Sequence, residues 1–260
     1  MPSFKNISLS VCAAVVLFAY ALPLRAVDNG ADSLAGDNAI GSKPPDATLT
    51  NSDSKPFSVK DYGAGRPLVI SYVYTSCPHT CPPILKSLKR AFEEMEPPGD
   101  RFAALTVSFD PENDTPKVLK EHSDSFGGSE NWRFATANAE TIKKFCDSRG
   151  FYFEKTGDGF VHTNMITVVD GNGVIIRQLY GVNFKPEEII GAVNDSILGI
   201  SRAGGELGVV DRIKLIIFKY DIGNKRLTID YLRVFTLGFV LLLPVAAAWF
   251  LIRRRFSDKS

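Results

Sequence analysis

The chain has 260 residues, 45% of them hydrophobic, and a formal net charge of +1. That length accommodates one sizeable globular domain with appendages. The near-neutral balance gives no reason to expect a nucleic-acid partner. At the N-terminus, Lys5 precedes an almost uncharged run over residues 7–24, the pattern of a secretory signal peptide occupying residues 1–26. Cleavage after Ala21 satisfies the small-x-small rule through Ala19-Tyr20-Ala21, and cleavage after Ala26 is the other site. An uncleaved anchor is the alternative, since the apolar run is near spanning length; both readings export the main domain. Residues 27–45 are rich in Gly, Asp, Asn, Ser and Pro with little apolar periodicity, and read as a flexible linker.

Residues 46–200 carry the alternating elements of an α/β domain. Short strand signals at residues 48–50 and 56–59 precede the run Leu68-Val69-Ile70-Ser71-Tyr72-Val73-Tyr74, which is β-branched, aromatic and too short for a typical helix. Ile84, Leu85, Leu88, Ala91, Phe92 and Met95 then recur at helical spacing up to about Glu96, where Pro97-Pro98-Gly99-Asp100 breaks the chain. Residues 102–109 are a second buried strand. Thr115-Pro116 opens a helix, with Thr as the cap and Pro at the first helical position, that ends near Gly127-Gly128. Residues 132–135 form a short strand, residues 138–149 a helix closed by Gly150, and residues 151–153 an edge strand. A hairpin follows, residues 164–169 and 174–180 around the turn residues Asp170-Gly171-Asn172-Gly173. Lys185-Pro186 starts the last helix. This order predicts a mixed sheet with helices on both faces, the thioredoxin-like architecture with an inserted helix.

Residues 201–231 read as a small β-rich spacer before the membrane. Residues 232–252 are then a transmembrane helix: from Val234 to Ile252 there is no charge, and the run is of spanning length. Arg253-Arg254-Arg255 follows at once, so the positive-inside rule leaves residues 253–260 in the cytoplasm and the domain outside, on the periplasmic face of the inner membrane. Cys12 falls in the signal peptide, which leaves Cys77, Cys81 and Cys146 in the exported part. Cys146, in the helical pattern of Ile142 and Phe145, is a buried apolar residue.

Chemistry concentrates in Ser76-Cys77-Pro78-His79-Thr80-Cys81-Pro82-Pro83, where a strand ends and a helix begins. Unpaired amides and the positive end of the helix dipole stabilise a thiolate there, and a thiolate is both a redox nucleophile and a soft-metal ligand. A Cys-x3-Cys pair is compatible with a structural clip, a redox couple or half a metal site. In an oxidising compartment Cys77 and Cys81 can close into a disulfide unless a reductant or a metal holds them apart. His162, in Phe160-Val161-His162-Thr163-Asn164-Met165, lies at a strand end that in a thioredoxin-type sheet faces the cysteine turn. Two thiolates and an imidazole make a soft site suited to copper.

The chain resembles the Sco/SenC family of membrane-anchored, copper-binding thioredoxin-like proteins. The matching pieces are residues 75–82, the segment Val107-Ser108-Phe109-Asp110-Pro111-Glu112-Asn113-Asp114-Thr115-Pro116, and Val161-His162-Thr163 with the downstream turn, together spanning about residues 40–198. The resemblance implies that Cys77, Cys81 and His162 bind a copper ion, Cu(I) or Cu(II). It also implies a role in supplying copper to, or reducing the cysteines of, the dinuclear copper centre of cytochrome c oxidase subunit II, or a related exported copper or dithiol client. The chain departs from the family pattern at His79, where members usually carry an acidic residue, at Val161, where Asp is common, and in its C-terminal rather than N-terminal anchor. Asp110 reads as the end of a strand, Asp114 with Thr115 as a helix cap, and His122 as a surface residue. A copper chaperone is the favoured function. Thiol-disulfide exchange, with Cys77 attacking and Cys81 resolving, is the enzymatic alternative; peroxidase chemistry is weaker, because the loop contains no arginine to hold a peroxide anion.

Overall fold

The computed structural model describes residues 33–95, 101–157 and 159–201 and, beyond them, 210, 214, 217–221, 226–236 and 239. In chain order the elements are α1 (Ser33–Ala39), β1 (Thr48–Asn51), β2 (Pro56–Ser58), α2 (Val59–Gly63), β3 (Leu68–Val73), α3 (Cys81–Glu94), β4 (Ala103–Ser108), α4 (Pro116–Phe126), β5 (Trp132–Thr136) and α5 (Ala139–Asp147). They continue with β6 (Phe153–Thr156), β7 (Gly159–His162), β8 (Met165–Val169), β9 (Ile175–Tyr180), α6 (Pro186–Ile197) and a hairpin of β10 (Phe218–Asp221) and β11 (Arg226–Ile229).

Seven strands form one mixed sheet in the order β2-β1-β5-β4-β3-β8-β9. β3, β4 and β5 run parallel, joined by helical crossovers, and β8 pairs antiparallel to β3. β3 and β4 are buried at every position, as unbroken β-branched and apolar runs require of strands covered on two faces. On one face Phe92 of α3 meets Trp132, and His122 of α4 meets Phe134. On the other, Tyr72 stacks 4.1 Å from Phe151 and lies 6.4 Å from Phe145 of α5. The expected mixed sheet with helices on both faces is therefore what forms. The cap read from sequence also holds, Thr115 Oγ1 accepting from the Val118 N–H, and the structure adds a second, Asn138 Oδ1 accepting from Thr141.

Three expectations change. Residues 33–45 are not a loose linker. Ala39 of α1 is buried, Tyr180 donates to Asp37 Oδ1 at 3.0 Å, and Gly41 and Ser42 exchange backbone bonds with Ile175. These few anchors are tertiary, so composition alone hides them. Residues 56–59 yield only three strand residues before Val59 turns into α2, which Ser58 caps. Residues 151–153 do not edge the main sheet: β6 begins at Phe153 and pairs only with β7, in a separate two-stranded ribbon.

The expected signal peptide at 1–26 and cytoplasmic tail at 253–260 lie outside the described residues, as does most of the expected span at 232–252. Among the described residues no helix is long and apolar enough to cross a membrane.

The docking of α1 rests on Gly150, whose φ is +69° and whose added Cβ would meet the Ala35 carbonyl at 2.4 Å and Gly36 Cα at 2.5 Å. Gly41 also has a left-handed φ, +85°, but open space around it. In chemical denaturation, Gly41→Ala is expected to cost about 1 kcal/mol, the conformational penalty alone. Gly150→Ala is expected to cost about 3 kcal/mol or more, since overpacking adds to it.

Candidate metal centre

β3 leaves the sheet at Val73 and the chain turns through residues 74–80 before α3 starts at Cys81. With Pro82 and Pro83 following it, the first turn of α3 is preset for helical φ, and because proline carries no N–H, Cys81 supplies the first-turn amide that faces the turn. The Cys81 N–H donates to Cys77 Sγ at 3.4 Å, and Thr80 Oγ1 lies 3.3 Å from the same sulfur. Cys77 is 7% exposed and Cys81 1%, so Cys77 is the sulfur that solvent or a partner reaches. Neither is in a disulfide.

The turn is tied down by a residue whose sequence reading was wrong in kind. Asp114 does not cap α4. Its carboxylate is only 1% exposed and accepts from the Thr75 N–H at 2.9 Å, from the Thr75 hydroxyl and from Ser108 Oγ. A buried carboxylate must be met by donors, and these donors come from the cysteine turn and from the end of β4. Asp110 is buried beside it, accepting from Asn113 Nδ2 at 2.8 Å.

His162, at the end of β7, completes the group. The donor atoms of Cys77, Cys81 and His162 lie within 4.8 Å of one another, so the structure brings together all three residues singled out from sequence. The imidazole sits among aromatic rings, with Phe109, Tyr74 and Phe151 at centroid distances of 5.2, 5.9 and 6.1 Å. Its Nδ1 lies 3.1 Å from the Thr163 carbonyl. A carbonyl only accepts, so Nδ1 carries the hydrogen and Nε2 keeps its lone pair for a ligand. This backbone contact supplies the orienting partner that an acidic residue at position 161 would otherwise be expected to give. Val161 itself is 58% exposed. His79 is exposed and outside the group.

The electrostatics divide the two sulfurs. A hydrogen bond from the Cys81 thiol, helped by the Thr80 hydroxyl and the backbone N–H groups of Cys81 and His79, outweighs burial and holds the Cys77 thiol down at about 3. That same bond, with burial, pushes the Cys81 thiol far above its ordinary range. Burial, then a hydrogen bond to Cys77, pushes Tyr74 up to about 12. The arrangement therefore offers one thiolate, one thiol whose proton an incoming cation would displace to solvent, and one imidazole, a soft donor set.

Cys146 is fully buried, as expected, and burial raises its pKa. His122 is not a surface residue: it is half-buried against Phe126 and Phe134, its Nε2 has no hydrogen-bond partner, and burial lowers its pKa. Its apolar helix neighbour Leu119 was the sequence signal for that burial.

A family model described as SCO1/SenC matches residues 42–198. A SCO1 protein homolog of Bacillus subtilis is 25% identical over 57% of this chain and 80% of its own length. A SCO2-like protein of Rickettsia felis is 28% identical over 47% of this chain, which spans only 62% of that relative. Among solved structures, a SCO1/SenC family lipoprotein of Bacillus anthracis aligns with a TM-score of 0.55 and 26% identity, covering 60% of this chain and 96% of that one. The copper-bound ScoI of Bradyrhizobium japonicum aligns with 0.53 and 25%, covering 60% and 99%.

Two outcomes test this geometry. In the reduced protein, iodoacetamide is expected to alkylate Cys77 first, at a rate nearly flat from about pH 6 to pH 9, because its pKa lies below that window. Cys146 reacts only after unfolding. Asp114→Asn should cost about 1–3 kcal/mol and slow Cys77 alkylation, whereas Thr115→Ala, which removes a cap worth about 1 kcal/mol, should leave that rate unchanged; mass spectrometry of the labelled protein reads both.

Proposed function

The chain belongs to the SCO1/SenC family, and on that premise we propose that it is an exported copper-handling protein that holds copper through Cys77, Cys81 and His162. The observation that carries this reading is the convergence of two sulfurs and one imidazole nitrogen within 4.8 Å, with Nε2 of the imidazole left as the donor. The copper bound to the Bradyrhizobium relative supports it. Copper is cargo here. The site receives it when both sulfurs are thiolates, with release of the Cys81 proton, and passes it on by exchanging ligands with a client that offers similar soft donors. The client proposed is subunit II of a cytochrome oxidase or a related exported copper or dithiol protein.

The placement in the cell is part of the same proposal: residues 1–26 direct export, residues 232–252 span the membrane once, and Arg253-Arg254-Arg255 keeps the tail in the cytoplasm. The lipoprotein among the relatives is consistent with a membrane-held domain.

A second reading is favoured by the division between the sulfurs. The Cys77 thiolate attacks a client disulfide, forming a mixed disulfide and expelling one client thiolate. Cys81, giving up its proton, then attacks Cys77 Sγ and expels the second client thiolate. The client gains two electrons, and the Cys77–Cys81 disulfide remains until an external thiol reductant resets it.

Titrating the reduced full-length chain with Cu(I) against a chromophoric chelator separates these functions. One equivalent is expected to bind. Cys77→Ala and Cys81→Ala should abolish it, and His162→Ala should weaken it by about 10–100-fold. Stoichiometric binding indifferent to His162 would sink the three-donor site, and rapid reduction of a client disulfide without any copper binding would give the function to the second reading.

A further inference from the structure

Thr80 stands at the N-cap of α3, where a threonine hydroxyl ordinarily accepts from the backbone N–H two or three residues on. Here those positions are Pro82 and Pro83, and proline has no N–H to give. The Thr80 hydroxyl accordingly makes no cap hydrogen bond. Thr115 shows the contrast within the same chain. Its proline, Pro116, occupies only the first helical position of α4, and its hydroxyl accepts from the Val118 N–H at 3.4 Å.

Released from capping, Thr80 Oγ1 lies 3.3 Å from Cys77 Sγ. The Cys81 N–H, the one amide left in the first three helical positions, donates to the same sulfur at 3.4 Å. The next amide, that of Ile84, is taken by the Thr80 carbonyl. An N–H can only donate, so Cys77 Sγ is the acceptor of this cluster, and a hydroxyl free to rotate adds its proton there. Cys77 is 7% exposed, so water does little to replace a donor lost from this position.

We infer that Thr80 is a positioning residue for the sulfur pair, its hydroxyl holding Cys77 in the reduced, acceptor form that takes up copper or attacks a disulfide. This rests on the sulfur chemistry proposed above, under either of its two functions. A sulfur carrying negative charge is a strong acceptor, whereas a disulfide sulfur is a weak one. The hydroxyl therefore stabilises the open pair over the closed one. When the Cys77–Cys81 disulfide takes two electrons and one proton from an external thiol couple, the S–S bond breaks. The products are the Cys81 thiol and the Cys77 thiolate, and the thiolate gains the Thr80 hydrogen bond. Without that hydroxyl the pair is harder to reduce, and less of it stands open to a soft cation.

Equilibrating the full-length chain with graded ratios of reduced and oxidised dithiothreitol at constant pH, read by thiol labelling and mass spectrometry, tests this. Thr80→Val keeps the side-chain shape and removes the hydroxyl. It is expected to lower the equilibrium constant for reduction of the disulfide about tenfold, and Thr80→Ser to bring it back to within about threefold. Chemical denaturation should show Thr80→Val weakening the reduced fold and leaving the oxidised fold unchanged. An unmoved reduction constant in Thr80→Val would overturn the proposal, as would failure of Thr80→Ser to restore it. Equal weakening of the reduced and oxidised folds would do the same, because that is the signature of a lost helix cap. Cu(I) titration of the unmodified chain keeps the two levels apart: no copper uptake there would remove the copper reading and leave the thiol equilibrium to decide on Thr80.

Discussion

Everything at the sulfur–imidazole group depends on the in-register parallel pairing of β3 with β4. From Leu68 opposite Ala103 to Val73 opposite Ser108, the two strands run six residues side by side and end together. Two loops therefore leave the sheet at one edge, the cysteine turn and the 109–115 segment. Only because they leave together can Asp114, six residues beyond Ser108, accept from Thr75 on the neighbouring loop. The parallel sheet brings the loops together; the buried carboxylate fixes how far apart they stand.

The same strands carry polar groups that protect this register. Ser71 and Thr106 share a hydrogen bond of 2.9 Å, the Trp132 indole donates to Thr106, and the Tyr72 hydroxyl meets Thr167 at 2.8 Å. All of these residues are buried. Sliding one strand by a residue would turn each hydroxyl to the opposite face and strand it without a partner, which costs more than the bond itself contributes. Hydrophobic burial stabilises the sheet in any register; these hydroxyls favour one.

How much of this is legible in the sequence follows from how local each cause is. The β3 run, the helix after it, the Thr115 cap and the 170–173 turn are set by neighbours in sequence, and each forms about where the pattern places it. The two cysteines are legible because a strand-turn-helix motif marks one end of a recognisable sheet, and His162 because it stands just before the hairpin, although the structure places it on β7 of a separate ribbon and not on a strand of the main sheet. Asp114 was misread because its partners, Thr75 and Ser108, lie on another loop and strand, and an Asp before Thr-Pro carries a strong capping signal that competes with them. The 33–45 segment was misread for the same reason: its contacts are with Tyr180, Ile175 and Gly150, far along the chain.

The ribbon of β6 and β7 forms no ladder with the main sheet. It is attached through rings, with Phe153 and Phe160 packed on Phe109 and Phe160 also on Tyr74, and through an ion pair between Lys155 and Glu112. Contacts of that kind are undirected and yield piecemeal, whereas a strand ladder yields cooperatively. The imidazole thus sits on a separately supported ribbon, while the sulfurs sit on the turn between β3 and α3 and at the start of α3. Of the three residues that would hold an ion here, His162 is thus the one that could be withdrawn without parting any ladder of the main sheet.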